Sequence, residues 1–143
     1  DLDAKALAYG AHLCHTFADR VSFTKQNALR MATPKKYQLI WSAGLFDYFS
    51  DRIFCSVLRR LASFLLAGGE LIIGNFGTFN PSRLWMEAVG DWHLHHRSAD
   101  RLVELAREAQ FAATNVRVDR EREGVNLFLH ISCVNPCVEM ETS

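Results

Sequence analysis

Apolar and polar positions along this chain alternate between helical and strand periods. The segment that follows Asp3 carries apolar residues at helical spacing, and stronger stripes follow Ser50 and Ser98. We expect Asp3, Ser50 and Ser98 to cap these helices, and Asn80 with Pro81 predicts the start of another. The inward-facing positions of the two strongest helices are Phe54, Val57, Leu58, Leu61 and Leu65, and Leu102, Leu105, Ala106 and Ala109.

Runs with strand character lie between these helices. Tyr37–Ser42 is rich in β-forming residues, and residues 70–76 are apolar without alternation, as in a buried parallel strand. Residues 21–24 alternate like a short strand. Gly68 and Gly69 predict the end of the helix that precedes residue 70.

Two further strands are predicted near residues 113–119 and 125–133, around a charged turn at residues 120–124. They lie too close together in sequence for a helical crossover, so they must pair antiparallel. The earlier alternation of strands and helices is typical of βαβ units. The pattern therefore predicts an α/β fold whose sheet is mostly parallel and ends in an antiparallel hairpin.

Charge and composition exclude several classes of partner. The 143 residues include 16 basic and 16 acidic side chains, so a basic excess that would attract nucleic acid or an anionic membrane is absent. No apolar run approaches the roughly 18 residues of a transmembrane helix, so we expect no nucleic-acid partner and no membrane span. The cysteines are too sparse for an oxidised scaffold, and no signal peptide is visible, which predicts a cytoplasmic protein. These cysteines are Cys14, Cys55, Cys133 and Cys137.

Several short motifs follow the predicted strand ends. They are Asp1-Leu2-Asp3-x-x-Ala6-Leu7, Gln26-Asn27-Ala28-Leu29, the run from Tyr37 to Phe49 with the small residues Ser42, Ala43 and Gly44, and Leu66-Ala67-Gly68-Gly69-Glu70-Leu71-Ile72-Ile73. With this order of elements, the chain resembles the class I S-adenosylmethionine-dependent methyltransferases, from the second motif of that family onward. The resemblance implies a Rossmann-like methyltransferase sheet, S-adenosylmethionine as cofactor and methyl transfer to a small molecule.

The resemblance also implies roles for individual residues in cofactor binding. Asp1 would accept both ribose hydroxyls and Leu2 would pack on the adenine. Asn27 stands where the family usually has Asp, and its amide oxygen would accept the adenine amino group. Ala28 would offer its backbone N–H to the ring, and Ser42 and Gly44 would line the methionine end. The alternatives are that Asp1 only starts a helix and that the Asn27 loop binds no ligand.

The Gly-rich first motif of the family is absent, and so is the strand before it. In the family strand order 3-2-1-4-5-7-6, this chain supplies the third strand onward. We therefore expect residues 1–134 to be the C-terminal portion of a methyltransferase domain and residues 135–143 a flexible tail. Upstream chain or a partner chain would supply the missing strands, and the segment alone is expected to bind cofactor weakly or not at all.

The substrate side is predicted from the segments 74–83 and 91–98, which follow the fifth strand of the family. Their pattern is similar to bacterial methyltransferases that form 3-hydroxy fatty-acid methyl esters, which implies an acyl or carboxylate substrate. Arg83 or Arg97 could then clamp a carboxylate in a bidentate way, and His96 could act as general base. The predicted catalytic residues are His96 and Arg97, and the predicted substrate-binding residues are Asn75, Asn80, Arg83 and Trp92.

Other functions remain open at this stage. His93, His95 and His96 with Cys133 and Cys137 lack the spacing of a zinc site, so no metal is expected. A non-catalytic, degenerate methyltransferase-fold module that acts through a ligand or a protein partner is the main alternative. A nicotinamide-binding half domain fits less well, because the chain has no Gly-rich fingerprint.

Overall fold

The structure is a computed structural model that describes residues 2–133 and divides the chain into two compact units. The first unit ends at Thr33 and the second begins at Pro34. The predictions for Asp1, Cys137 and the tail at residues 135–143 lie outside the described residues. The candidate residues Leu2, Asn27 and Ala28 belong to the first unit, and all other described candidates belong to the second.

The first unit is built around one α-helix. Helix α1 spans Ala4–Leu13, and the carboxylate of Asp3 caps it by accepting the backbone N–H of Lys5 at 2.8 Å, as predicted. Short 3-10 turns follow at His15–Phe17 and Ala28–Arg30. None of these three elements buries a side chain.

The strand predicted at residues 21–24 does not form. This segment is irregular and pairs with no strand among the residues that the structure describes. The ring of Phe23 instead lies against Gly10 of α1, where a Cβ would come within 2.7 Å of it. A strand needs a neighbour to satisfy its backbone groups, and Phe23 is here placed by a helix instead.

The second unit contains a four-stranded mixed sheet with the order β1-β2-β4-β3. Strand β1 spans Tyr37–Ser42, β2 Leu65–Phe76, β3 Val116–Arg120 and β4 Asn126–Ser132. Strands β1 and β2 are parallel, whereas β4 pairs antiparallel with both β2 and β3. This arrangement is a partial Rossmann-like α/β sheet, and the predicted fold class, with its antiparallel C-terminal hairpin, is confirmed.

Strand β2 is longer than the sequence predicts. Gly68 and Gly69 do not end a helix but lie inside this strand, at a shift in its register with β1. Gly68 has φ +76°, and a Cβ on Gly69 would come within about 3 Å of the carbonyl oxygens of Leu66, Gln38 and Tyr37. The glycine pair therefore permits a close approach of two strands, and the helix before it ends earlier.

Three helices accompany the sheet. Helix α2 spans Asp51–Ala62, α3 Arg83–Ala88 and α4 Ala99–Glu108. Helices α2 and α4 bury the predicted stripes against each other and the sheet, apart from Leu65, which belongs to β2. The fully buried centre of this core consists of Phe46, Phe54, Leu58, Leu71, Ile73, Leu102, Leu105, Leu129 and Ile131.

The helix predicted from Asn80 begins later. Pro81 and Ser82 form a turn, and Ser82 occupies the N-cap position of α3. Helix α3 buries none of its side chains, and Leu84, Trp85 and Val89 are more than two-thirds exposed. No helix within residues 2–133 has both the length and the hydropathy that crossing a bilayer requires.

Candidate functional site

The candidate site lies in the second unit, at the carboxyl ends of the parallel strands β1 and β2. Ligands of open α/β sheets bind beyond this edge. Strand β1 ends at Ser42, which is half-buried, and Gly44 follows with φ +77°. No atom lies within 4 Å of the position that a Cβ on Gly44 would occupy. The strand end thus turns without a side chain and leaves open space in front of the backbone.

Asp47 joins the two strand ends to the loop that carries the histidines. It is 2% exposed; its carboxylate accepts the backbone N–H of Phe76 at 2.7 Å, and its carbonyl accepts that of His95 at 2.8 Å. Burial raises the pKa of Asp47, opposed chiefly by the Phe76 N–H and by the nearby charge of Arg97. Sequence reasoning missed this residue, because an aspartate is usually exposed and its burial here depends on partners distant in the chain.

Arg97 lies in the core, where its guanidinium links α2, β2 and the loop between β1 and α2. Its side chain is 3% exposed, and its guanidinium packs 4.8 Å from the Phe54 ring. It donates to the Asp51 carboxylate from Nε at 3.0 Å and from a terminal nitrogen at 2.9 Å. The remaining bonds go to the Asn75 side-chain oxygen and to the carbonyls of Phe46 and Phe49.

These contacts use every N–H that a guanidinium offers. No donor of Arg97 is left for a substrate carboxylate in this arrangement, and Asp51 is the partner that the sequence did not reveal. The structure thus gives Arg97 a buried structural role, and its predicted catalytic role stays a prediction. Partial burial would raise the pKa of Asp51, but hydrogen bonds from Arg101 and Arg97 hold that pKa below its usual value.

Asn75 also belongs to the core rather than to a substrate surface. It is 1% exposed, and its amide nitrogen donates to the carbonyls of Phe76 and His95, each at 2.9 Å. Its oxygen accepts from Arg97 at 2.8 Å. Asn75 thus fixes the carbonyl of the residue before His96 from within the core, and its predicted contact with substrate stays a prediction.

His96 and Asn80 do meet at the edge of the site. The Asn80 amide nitrogen lies 3.0 Å from Nε2 of His96, and Nδ1 of His96 lies 3.2 Å from the Leu94 carbonyl. The imidazole also lies beside the Phe76 ring, with 5.7 Å between the ring centroids. Both residues are half-buried, so a ligand can reach them without unfolding the loop.

The other two substrate candidates lie on the surface around this pair. Arg83 is half-exposed and donates to the Glu87 carboxylate at 2.7 Å, which lowers the pKa of Glu87. The indole N–H of Trp92 donates to the Tyr48 hydroxyl at 2.8 Å, and its backbone N–H donates to the Met86 carbonyl. Both predicted residues are therefore accessible, and Tyr48 is an additional aromatic neighbour.

The predicted adenosine-binding residues that the structure describes all belong to the first unit. Leu2 is exposed, and Asn27 and Ala28 are half-buried. The Asn27 side-chain oxygen caps a 3-10 turn by accepting the Leu29 N–H at 2.9 Å. A carboxamide oxygen has a second lone pair, so this cap leaves the predicted acceptor role to adenine unchanged as an expectation.

Within residues 2–133, no group of three or more His, Cys, Asp or Glu side chains is placed to hold a metal ion. His93 pairs with the exposed Asp91, and Cys133 is buried at the end of β4. The histidines and the described cysteine of the earlier metal hypothesis therefore have separate environments.

Comparison with known proteins gives matches only at the level of structure. No protein-family model matches the chain, and no curated protein does. A possible exported protein from Bordetella parapertussis matches 92% of this chain over 51% of its own, with 20% identity and a TM-score of 0.75.

Two methyltransferase structures have the same fold. The S-adenosylmethionine-dependent methyltransferase SibL, in its apo form, is 16% identical with a TM-score of 0.73, and the match covers 92% of this chain and 42% of SibL. Magnesium protoporphyrin IX methyltransferase from Synechocystis PCC 6803, solved with bound SAH, is 11% identical with a TM-score of 0.65, over 92% and 61% of the two chains. This chain thus spans about half the length of the structures it matches, and the likeness establishes a methyltransferase fold.

Proposed function

We propose that this chain forms part of an S-adenosylmethionine-dependent methyltransferase that acts on a small molecule. The observation that carries the proposal is the open end of β1 at Ser42 and Gly44, in a sheet of methyltransferase topology whose neighbouring strand β2 ends at Phe76, beside the half-buried His96. The fold alone does not define an activity. The proposal therefore depends on side chains at the edge where such folds bind ligands.

The residues of the second unit fit the methionine end of this cofactor. A ligand can approach the backbone at Gly44 because its Cβ position is open and its φ of +77° favours glycine. Ser42 offers a hydroxyl at the end of β1, two residues before Gly44. Asp1, Leu2, Asn27 and Ala28 would hold the adenosine, as the resemblance implies. When bound, the cofactor supplies a methyl group on a sulfonium, and its displacement leaves a neutral thioether.

The chain's own residues position the acceptor. His96 presents an imidazole at the rim, and Asn80 orients it through a hydrogen bond at 3.0 Å. Asp47 and Asn75 hold the backbone N–H and carbonyl of His95, the residue before His96. Trp92, whose backbone N–H donates to the Met86 carbonyl, and its partner Tyr48 provide exposed aromatic surface. Correct orientation of two reactants can account for a large share of a transfer rate.

The narrower resemblance to enzymes that form fatty-acid methyl esters has no support in the structural similarities. The carboxylate clamp that this resemblance implies would also lack Arg97, because all of the Arg97 donors are used in the core. Arg83 would be the remaining clamp, and it already pairs with Glu87. We therefore restrict the proposal to methyl transfer onto a small-molecule acceptor.

A matched pair of glycine variants tests the cofactor site. Gly44→Asn places a side chain in the open space at the strand end, and asparagine tolerates positive φ better than most residues. Gly124→Asn is the control, because Gly124 has φ +73° and an equally open Cβ position in the β3–β4 turn. We expect Gly44→Asn to weaken S-adenosylhomocysteine binding at least about tenfold, or ~1.4 kcal/mol, and Gly124→Asn to leave it unchanged.

The titration is performed by calorimetry on protein that extends upstream through the strands that the resemblance implies. Equal affinity of both variants would remove Gly44 from the cofactor site. The absence of any binding by the parent protein would favour the alternative, a non-catalytic module that acts through a ligand or a protein partner.

A further inference from the structure

The tautomer of His96 follows from the hydrogen bonds around it. The Ser82 N–H donates to the Asn80 side-chain oxygen at 3.0 Å, which fixes the orientation of the amide. The amide nitrogen of Asn80 therefore faces Nε2 of His96 at 3.0 Å. An amide nitrogen only donates, so Nε2 must carry a lone pair. The Leu94 carbonyl only accepts, so Nδ1, at 3.2 Å, carries the hydrogen.

The backbone around His96 is fixed on both sides, so this orientation is maintained. The His95 N–H donates to the Asp47 carbonyl at 2.8 Å, and the His95 carbonyl accepts from Asn75 at 2.9 Å. The Arg97 N–H donates to the Phe76 carbonyl at 2.9 Å, which continues the edge of β2. His96 thus presents a basic nitrogen, rather than an N–H donor, to the side where Asn80 lies.

This arrangement distinguishes between classes of methyl acceptor. A hydroxyl group can replace the Asn80 amide as donor to Nε2, whereas an ionised carboxylate would set its lone pairs against the lone pair of Nε2. A carboxylate would also need a cation, and Arg97 is fully bonded while Arg83 pairs with Glu87. A buried or half-buried charge without a partner is unfavourable.

We infer that the site takes a hydroxyl acceptor on an apolar small molecule, with Asn80 as the positioning residue that fixes the tautomer of His96. The inference rests on the proposed function and specifies its substrate class. The acceptor oxygen uses a lone pair to form the new O–CH₃ bond, while the S–CH₃ bond breaks and its electron pair stays on sulfur. The hydroxyl proton moves to Nε2 of His96, and the resulting imidazolium later releases it to water.

The apolar character of the acceptor follows from the neighbours of this pair. The Phe76 ring lies against the imidazole. The thioether sulfur of Met86 lies 3.5 Å from the Asn80 amide nitrogen. The Met86 carbonyl accepts the backbone N–H of Trp92, which in turn contacts Tyr48. A hydroxyl at Nε2 would therefore have aromatic and thioether surface beside it.

Long-range ¹H–¹⁵N NMR of the histidine rings tests the tautomer on the chain itself, at mildly alkaline pH. His96→Gln identifies the His96 signals among those of the six histidines. We expect His96 in the Nδ1–H form, although Nε2–H is the commoner tautomer of free histidine. Asn80→Ala should return His96 towards the free mixture, and Asn80→Asp should favour Nε2–H because a carboxylate accepts. Asn115→Ala, at the opposite end of the sheet, should leave the tautomer of His96 unchanged.

The acceptor class is tested with phenol and benzoate, which share a ring and differ in the group that faces Nε2. We expect phenol to shift the ¹⁵Nε2 resonance of His96 and the Asn80 side-chain NH₂ signals at concentrations where benzoate does not. An Nε2–H tautomer in the parent protein, or a larger response to benzoate than to phenol, would overturn the inference. These readouts need no cofactor, so they are separate from S-adenosylhomocysteine binding, which tests the proposed function.

Discussion

Replacement of Arg97 should destabilise the second unit strongly, because this residue bonds to four partners in and around the core. The informative variant is Arg97→Lys, which keeps the charge but loses the planar fork of donors. The Asp51 carboxylate keeps Arg101 as a second cation at 2.8 Å, so its loss is partly compensated. The Asn75 oxygen and the carbonyls of Phe46 and Phe49 lose their donor from Arg97.

The size of the effect can be worked from these contacts. A buried acceptor left without a donor costs about 1–3 kcal/mol, and removal of one member of a buried ion pair costs about 3–5 kcal/mol. A lysine recovers some of the bonds, so we expect Arg97→Lys to lose about 2–4 kcal/mol of unfolding free energy. Against a total of roughly 5–15 kcal/mol for a domain, that loss is large.

Urea unfolding followed by tryptophan fluorescence measures this loss. The three tryptophans, Trp41, Trp85 and Trp92, all belong to the second unit, so the signal reports that unit alone. Arg83→Gln is the matched control: it breaks a half-exposed arginine pair, which should contribute no more than about 1 kcal/mol. An Arg97→Lys variant as stable as Arg83→Gln would refute the structural role and return Arg97 to the substrate candidates.

Three further predictions concern stability. Burial raises the pKa of Asp47, so its ionisation opposes folding above pH 3.8, and this loss of stability grows as pH rises through the folded-state pKa. The pKa of Asp51 is lowered, so its ionised form stabilises the fold, and this stabilisation is lost as pH falls. At neutral pH, Asp47→Asn should therefore be neutral or stabilising and Asp51→Asn destabilising in the same urea assay; the reverse order would contradict the assignment. Gly69→Ala should lower the melting temperature in circular dichroism, because its Cβ would meet three carbonyl oxygens; an unchanged value would show that the strands can separate freely. Ser98→Ala should lose about 1 kcal/mol with its capping bond and Ser50→Ala, whose side chain makes no such bond, should lose little; equal losses would argue against capping as the cause.

Local patterns were sufficient to predict the elements that bury an apolar face. The stripes after Ser50 and Ser98 became α2 and α4 because amphipathic periodicity is a direct signal of burial. The glycine pair is the exception, because its role depends on distant residues. Gly68 and Gly69 exchange hydrogen bonds with Cys133 at the end of β4, and these keep the segment in the sheet.

The candidate site likewise contains residues that local sequence predicts and residues whose roles depend on distant partners. His96 and Asn80 could be predicted as neighbours of the strand ends, because polar residues after a parallel strand gather at one edge. The role of Arg97 could not be predicted, since a guanidinium can bind an anionic ligand or take part in a buried hydrogen-bond network. The choice depends on Asp51, which lies 46 residues earlier in the chain. Asp47 gives no sequence signal because its burial arises only when β2 and the histidine loop close over it.

Calorimetric titration with S-adenosylhomocysteine tests the central claim most directly. It compares residues 1–143 with the protein extended upstream through the strands that the resemblance implies. We predict stoichiometric binding by the extended form, weakened by Gly44→Asn but not by Gly124→Asn, and weak or no binding by residues 1–143 alone. No binding by either form would contradict the proposal that this sheet edge holds the cofactor.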